Sequence, residues 1–152
     1  MEPSKIQEIL FREDLKIASF WKRFGAFLLD DFLLSLVLFL IFYSRFASAN
    51  DMEAILSTAS DLALYVVILR FIYHAGFTFF YGASIGKMIF GIKIISLKTL
   101  DRPDLLDSLV RSFFKELGGN LFYVTYFFAI GDTFMRTLHD RIVKSIVIDI
   151  RG

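Results

Sequence analysis

Asp30 and Asp31 interrupt a run of 20 otherwise uncharged residues, Phe24 to Tyr43, and Arg23 stands seven positions before the first of them. At about 1.5 Å per helical residue the run covers roughly 30 Å, the thickness of a bilayer's hydrocarbon layer. A carboxylate there costs roughly 2.5–3.5 kcal/mol on insertion scales, so each needs a partner or a task. A second apolar run, Leu62 to Tyr81, contains Arg70 and His74. In an antiparallel pair of helices Asp30 lies about 9 Å and His74 about 10 Å from the shared end, and Arg70 is one turn deeper, within reach of Asp31. The spacing predicts an intramembrane cluster of Asp30, Asp31, Arg70 and His74. Arg23 shares a helix face with Asp30 but lies about 10 Å from it along the axis. Such a cluster can do two things. It can satisfy itself and fix how two helices dock, or Asp30 can exchange a proton or cation while His74 tunes it near neutral pH.

Other chemistries are excluded by what the chain lacks. It has no cysteine, so no disulfide, thiolate metal site or cysteine nucleophile is available, and two histidines give no metal-ligand spacing. Asp140 beside His139 is expected to hydrogen-bond backbone at a turn rather than bind metal. No nucleophile–base pair appears, since Ser35 and Ser84 lack a partner histidine, and an enzyme is not expected; nor is any cofactor. A net charge of +1 lacks the basic excess of a nucleic-acid binder. Gly82-Ala83-Ser84-Ile85-Gly86-Lys87 resembles a phosphate-binding loop only superficially: it has three residues between its glycines instead of four, and Met88 follows the lysine. It reads as a turn out of the membrane with Lys87 among headgroups. The aromatic content, 17% and mostly Phe, reads as lipid-facing bulk.

The elements that must position these residues follow from hydropathy. Hydrophobic residues make up 56% of 152 residues, and the mean hydropathy is +0.60, above the roughly 45–50% apolar content of soluble domains. The expected architecture is an all-α integral membrane protein forming a single domain over residues 1–152. Residues 1–23 are too long and polar for a cleavable signal and form a lead in which Ile6, Ile9, Leu10 and Phe11 make an amphipathic turn near the membrane surface, with Trp21 at the boundary. The first crossing spans 24–43, an acidic external loop 44–61, and the second crossing 62–81. Basic residues before the first crossing and between Lys87 and Lys115 put both ends of this hairpin in the cytoplasm. Residues 82–104 form a turn and a strand, with Gly91 to Leu97 partly alternating, and Ser145 to Ile150 form a second strand in the tail, 136–152. These two are expected to pair as a small cytoplasmic sheet. Within 105–135, Leu105 to Leu117 reads as an amphipathic helix with one wet face, broken at Gly118-Gly119-Asn120. Leu121 to Met135 is then either a re-entrant hairpin, which the charge rule favours, or a tilted third crossing.

Ala18 to Ala26 leading to Asp30, then Gly82 to Lys87 with Gly91, then His139-Asp140 before Ile146-Val147, resemble in order and spacing the RDD family of small bacterial membrane proteins. The resemblance covers about residues 18–150. It implies that Arg23, Asp30 and Asp140 are the family's arginine and two aspartates, with Asp132 a weaker match, and that Gly82, Gly86 and Lys87 belong to the middle motif. Ser84 stands where threonine is usual, and Lys144-Ser145 replaces a common Gly-Thr. The resemblance implies a bacterial cytoplasmic membrane protein connected with transport, including cation/proton exchange in some members. A transporter of this size needs a homo-oligomer, because one hairpin cannot shield an ion from lipid. The alternative is a non-catalytic structural or assembly module that docks partner proteins. The lipid bilayer is the one partner expected either way, nucleic acid is not, and the substrate is not legible.

Overall fold

The computed structural model describes residues 2–120 and 131–151. The chain runs α1 (Pro3–Arg12), β1 (Lys16–Ile17), α2 (Phe20–Ile41), α3 (Tyr43–Ala47), α4 (Met52–Tyr81), α5 (Ile85–Ile89), β2 (Ile92–Ser96), α6 (Leu105–Asn120), α7 (Leu138–Ile142) and β3 (Ser145–Asp149). Both long helices start at side-chain caps. Ser19 accepts from the Lys22 amide at the start of α2, and Asp51 accepts from the Ala54 amide, 2.7 Å away, at the start of α4. The Asp51 cap starts α4 ten residues before the apolar run, so the expected loop 44–61 is largely helical, in α3 and the first turns of α4. Gly82, at φ +69°, ends α4 in the left-handed conformation, its amide reaching the Thr78 carbonyl.

With 22 and 30 residues, α2 and α4 are each long and apolar enough to cross a membrane. Leu28, Phe32, Leu36, Leu40, Leu64, Ile68 and Ile72 lie on their exposed surfaces. An apolar surface of that extent is stable in lipid and a liability in water.

The sheet sits at the end of the helical pair where α2 begins and α4 ends. It has three strands, not the two expected, in the order β1-β3-β2 and antiparallel throughout. Sequence periodicity cannot reveal a strand of two residues, and β1 exists because Lys16 and Ile17 pair with Asp149 and Ile148. Alternation then divides the core between two faces. Ile95, Leu97, Ile146 and Ile148 pack with Ile6 of α1, while Ile92, Ile94 and Val147 pack with Ala26 of α2. Ile6 is therefore a core residue on the sheet. The expected membrane-surface role of the lead fits only its outer side, where Phe11 is exposed.

Helix α6 is turned opposite to the expectation of one wet face. Ser108, Arg111, Ser112 and Lys115 form a buried stripe, and Leu105, Leu106, Phe113 and Leu117 are exposed. It packs most extensively against α4 and also touches α7, so its polar side meets protein and its apolar side faces outward. The helix continues through Gly118 and Gly119 to Asn120, past the expected break. The third apolar segment, re-entrant or crossing, falls mainly on residues 121–130, outside the described residues.

Candidate functional site

Asp30 is 2% exposed, and its carboxylate joins three elements. Oδ1 accepts from the Tyr73 hydroxyl on α4 at 2.7 Å and from the Gly86 amide on α5 at 2.8 Å, and Oδ2 accepts from the Ser84 hydroxyl at 2.5 Å. The Tyr73 oxygen in turn accepts from the Ile85 amide, 3.0 Å away. The first amides of α5 have no acceptors within their own helix, so a carboxylate from α2 and a phenol from α4 serve in their place. This requires close approach. A Cβ on Gly86 would lie 2.9 Å from Asp30 Oδ1 and collide with the Ala26 carbonyl, which explains glycine at that position.

The expected single cluster of Asp30, Asp31, Arg70 and His74 is divided in three. Consecutive residues on a helix point about 100° apart, so Asp30 turns inward to α5 while Asp31 turns to the side, where Arg70 pairs with it. His74 contacts neither aspartate; the Lys115 ammonium lies 2.8 Å from its Nε2. Depth along the helices gives the level of each group and leaves its azimuth open.

Asp140 anchors the second half of the site and is 1% exposed. Its Oδ2 accepts from the Thr137 amide and hydroxyl, forming the capping box of α7, and its Oδ1 accepts from Arg111 Nε at 3.0 Å and Nη2 at 2.5 Å. Arg23 Nη1 lies 3.8 Å from Asp140 Oδ2. The Arg23 guanidinium also donates to the carbonyls of Ala18, Met135 and Val147, fastening the first turn of α2 to β3 and to the segment before α7. Burial pushes the Asp140 carboxyl up, but the surrounding positive charge, led by Arg111, outweighs it and holds the group well below the usual carboxylate range. Burial, opposed in part by Asp140, pushes His139 well below the usual imidazole range, which keeps it neutral.

Between these two anchors lies a cavity of about 40 Å³ lined by Arg23, Phe27, Asp30, Lys87, Arg111, Lys115, Thr137, His139, Asp140 and Val147. Lys87 thus lines this cavity beside Asp30 and Asp140. Burial, reinforced by Arg111 and Lys115, lowers its pKa well below that of a free lysine. Lys115 is lowered to about 8 by burial, with Asp30 opposing and Arg111 adding to the shift.

Arg23, Asp30, Lys87 and Asp140, more than 115 residues apart at their extremes, meet on this one cavity. The model of the RDD family matches residues 17–144, most of the chain. The chain belongs to the RDD family. No curated protein and no solved structure matches it. Family and apolar helices together mark it as a membrane protein. Arg23, Asp30 and Asp140 are all wall residues of the cavity, and the segment after α4 supplies Gly82 to end that helix, Gly86 for the approach to Asp30, and Lys87 for the wall. Asp132 lies apart, paired with Arg136 and Arg141. Sequence reasoning missed Tyr73, Arg111 and Lys115 as members of this site. The stripe Ser108, Arg111, Ser112, Lys115 did carry a signal: serines interleaved with cations at i, i+3, i+4 and i+7 fit a buried polar face better than a solvated one.

Proposed function

We propose that this RDD protein moves a small ion or solute at the cytoplasmic membrane, through the charged cavity at the cytoplasmic end of its helical hairpin and without enzymatic turnover. The observation that carries this reading is the convergence of Arg23, Asp30, Lys87, Arg111, Lys115 and Asp140 on one cavity beside two membrane-capable helices. Charged groups buried at the membrane are costly, and a cavity among them is what a permeating species requires. Two such helices do not enclose a pathway, so the transporting form is a homo-oligomer with both hairpin ends in the cytoplasm.

Cation/proton exchange at Asp30 is the version the geometry favours least. Both oxygens of Asp30 already accept hydrogen bonds, and the cations on the cavity wall outnumber the carboxylates. The saturation of Asp30 also supports a second reading, a structural module in which the carboxylate only joins α2 to α4 and α5. Flux from liposomes containing the purified protein separates the two. Transport predicts ion movement above that of empty liposomes and its loss in Lys87→Met, which removes a basic group from the cavity wall without removing a hydrogen bond to any described residue. A parent protein that is folded in the bilayer and gives no flux for cations or anions supports the structural module instead.

A further inference from the structure

The cavity wall carries four basic side chains, Arg23, Lys87, Arg111 and Lys115, against two carboxylates, Asp30 and Asp140. Glu116, half-buried beside Lys115, brings the surroundings to four against three, and Asp31 cancels Arg70. Residues 121–130 contain no Asp, Glu, Lys, Arg or His and supply no further countercharge. An excess of basic side chains disfavours an incoming cation, and an anion among them stabilises their protonated forms.

Unused hydrogen-bonding capacity has the same sign. Both Asp30 oxygens and both Asp140 oxygens accept from protein donors. Lys87, by contrast, donates to no described residue, and Arg111 uses Nε and Nη2 on Asp140 while Nη1 has no acceptor among the described residues. Lys115 has three donor hydrogens, and among the described residues its hydrogen-bond contacts are to one histidine ring. The complement to a wall with surplus donors and occupied acceptors is an acceptor-only group of negative charge. A volume of about 40 Å³ is room for roughly three waters, the scale of one tetrahedral oxyanion.

We propose that this cavity binds a small oxyanion of phosphate type, taken either as the free ion or as the phosphomonoester headgroup of a lipid. As a substrate assignment the proposal rests on the transport reading above; as a binding site it stands without it.

The test is thermal unfolding and titration calorimetry of the detergent-purified full chain with inorganic phosphate, against sodium chloride at matched ionic strength. The expected result is saturable binding of phosphate with a rise in Tm, about tenfold or more weaker in Lys87→Met and recovered in Lys87→Arg. Because Lys87 makes no hydrogen bond to the described protein, the variant is expected to fold, and size-exclusion elution together with the apo Tm verifies this. Nanodiscs of phosphatidylcholine with and without phosphatidic acid separate the sources: stabilisation by phosphatidic acid that free phosphate does not reproduce, lost in Lys87→Met, supports the lipid form. Stabilisation by sodium with none by phosphate or phosphatidic acid overturns the proposal, as does phosphate binding that Lys87→Met leaves unchanged. Binding without flux leaves the oxyanion site standing and removes the transport reading.

Discussion

At the scale of single residues the site depends on how close two backbones come. Gly86 lets α5 approach α2 until its amide reaches Asp30 at 2.8 Å, a contact that no side chain at that position permits. Gly86→Ala should therefore lower stability by about 1–3 kcal/mol, the range for forcing a methyl into a packed site, measured by chemical unfolding in detergent. Gly76, with open space around its Cα, is the control and should tolerate alanine. Of the residues singled out from sequence, Asp30 was legible because an acid in an apolar run is an anomaly in any setting. Its partners were not. Tyr73 looks like one more aromatic among many, Ser84 like one more turn residue, and the Gly86 amide has no side chain to notice.

Among elements, α6 carries the main lesson. Its pattern has the period of an amphipathic helix, and periodicity fixes two faces without saying which is inside. In water the polar face is outside. Here the partners, Asp140 and His74, are polar and buried, so the helix packs with Arg111 and Lys115 inward. That choice leaves a pH signature. Lys115, lowered by burial to about 8 from 10.5, is surrounded by His74 of α4, Arg111 and Glu116 of its own helix, and the charges of Asp30, Arg70 and Lys87. Between about pH 8 and 10.5 the unfolded chain holds the proton that the folded protein has released, so stability rises with pH across that window; Lys87, lowered in the same direction, adds to the slope. Thermal unfolding at pH 7.5 and 10 should show the rise, and Lys115→Met should reduce it. A stability that falls over this range in the parent would mean that α6 presents its polar face to solvent. The long helices and the two longer strands were legible from apolar runs and alternation. Their true starts were not, because caps at Ser19 and Asp51 and a two-residue strand act below the length at which periodicity is measurable.

Viewed whole, the molecule joins an apolar helical pair to a small sheet through two buried carboxylates. Asp30 ties α2 to α4 and α5, Asp140 ties α6 to α7, and Arg23 links the start of α2 to β3 beside Asp140. Because these links share one cavity, the helices and the sheet should unfold as one cooperative unit. Neighbouring aspartates provide the most direct comparison. Asp30 is buried with three donors on other segments, whereas Asp31 is half-exposed and pairs with Arg70 at the side of the helices. Chemical unfolding of Asp30→Asn and Asp31→Asn in the same detergent measures the difference. Asp30→Asn is predicted to lose about 2–4 kcal/mol in a single transition and Asp31→Asn about 1 kcal/mol or less. Equal losses, or a larger loss at Asp31, would contradict the inward anchoring of Asp30 on which the cavity depends.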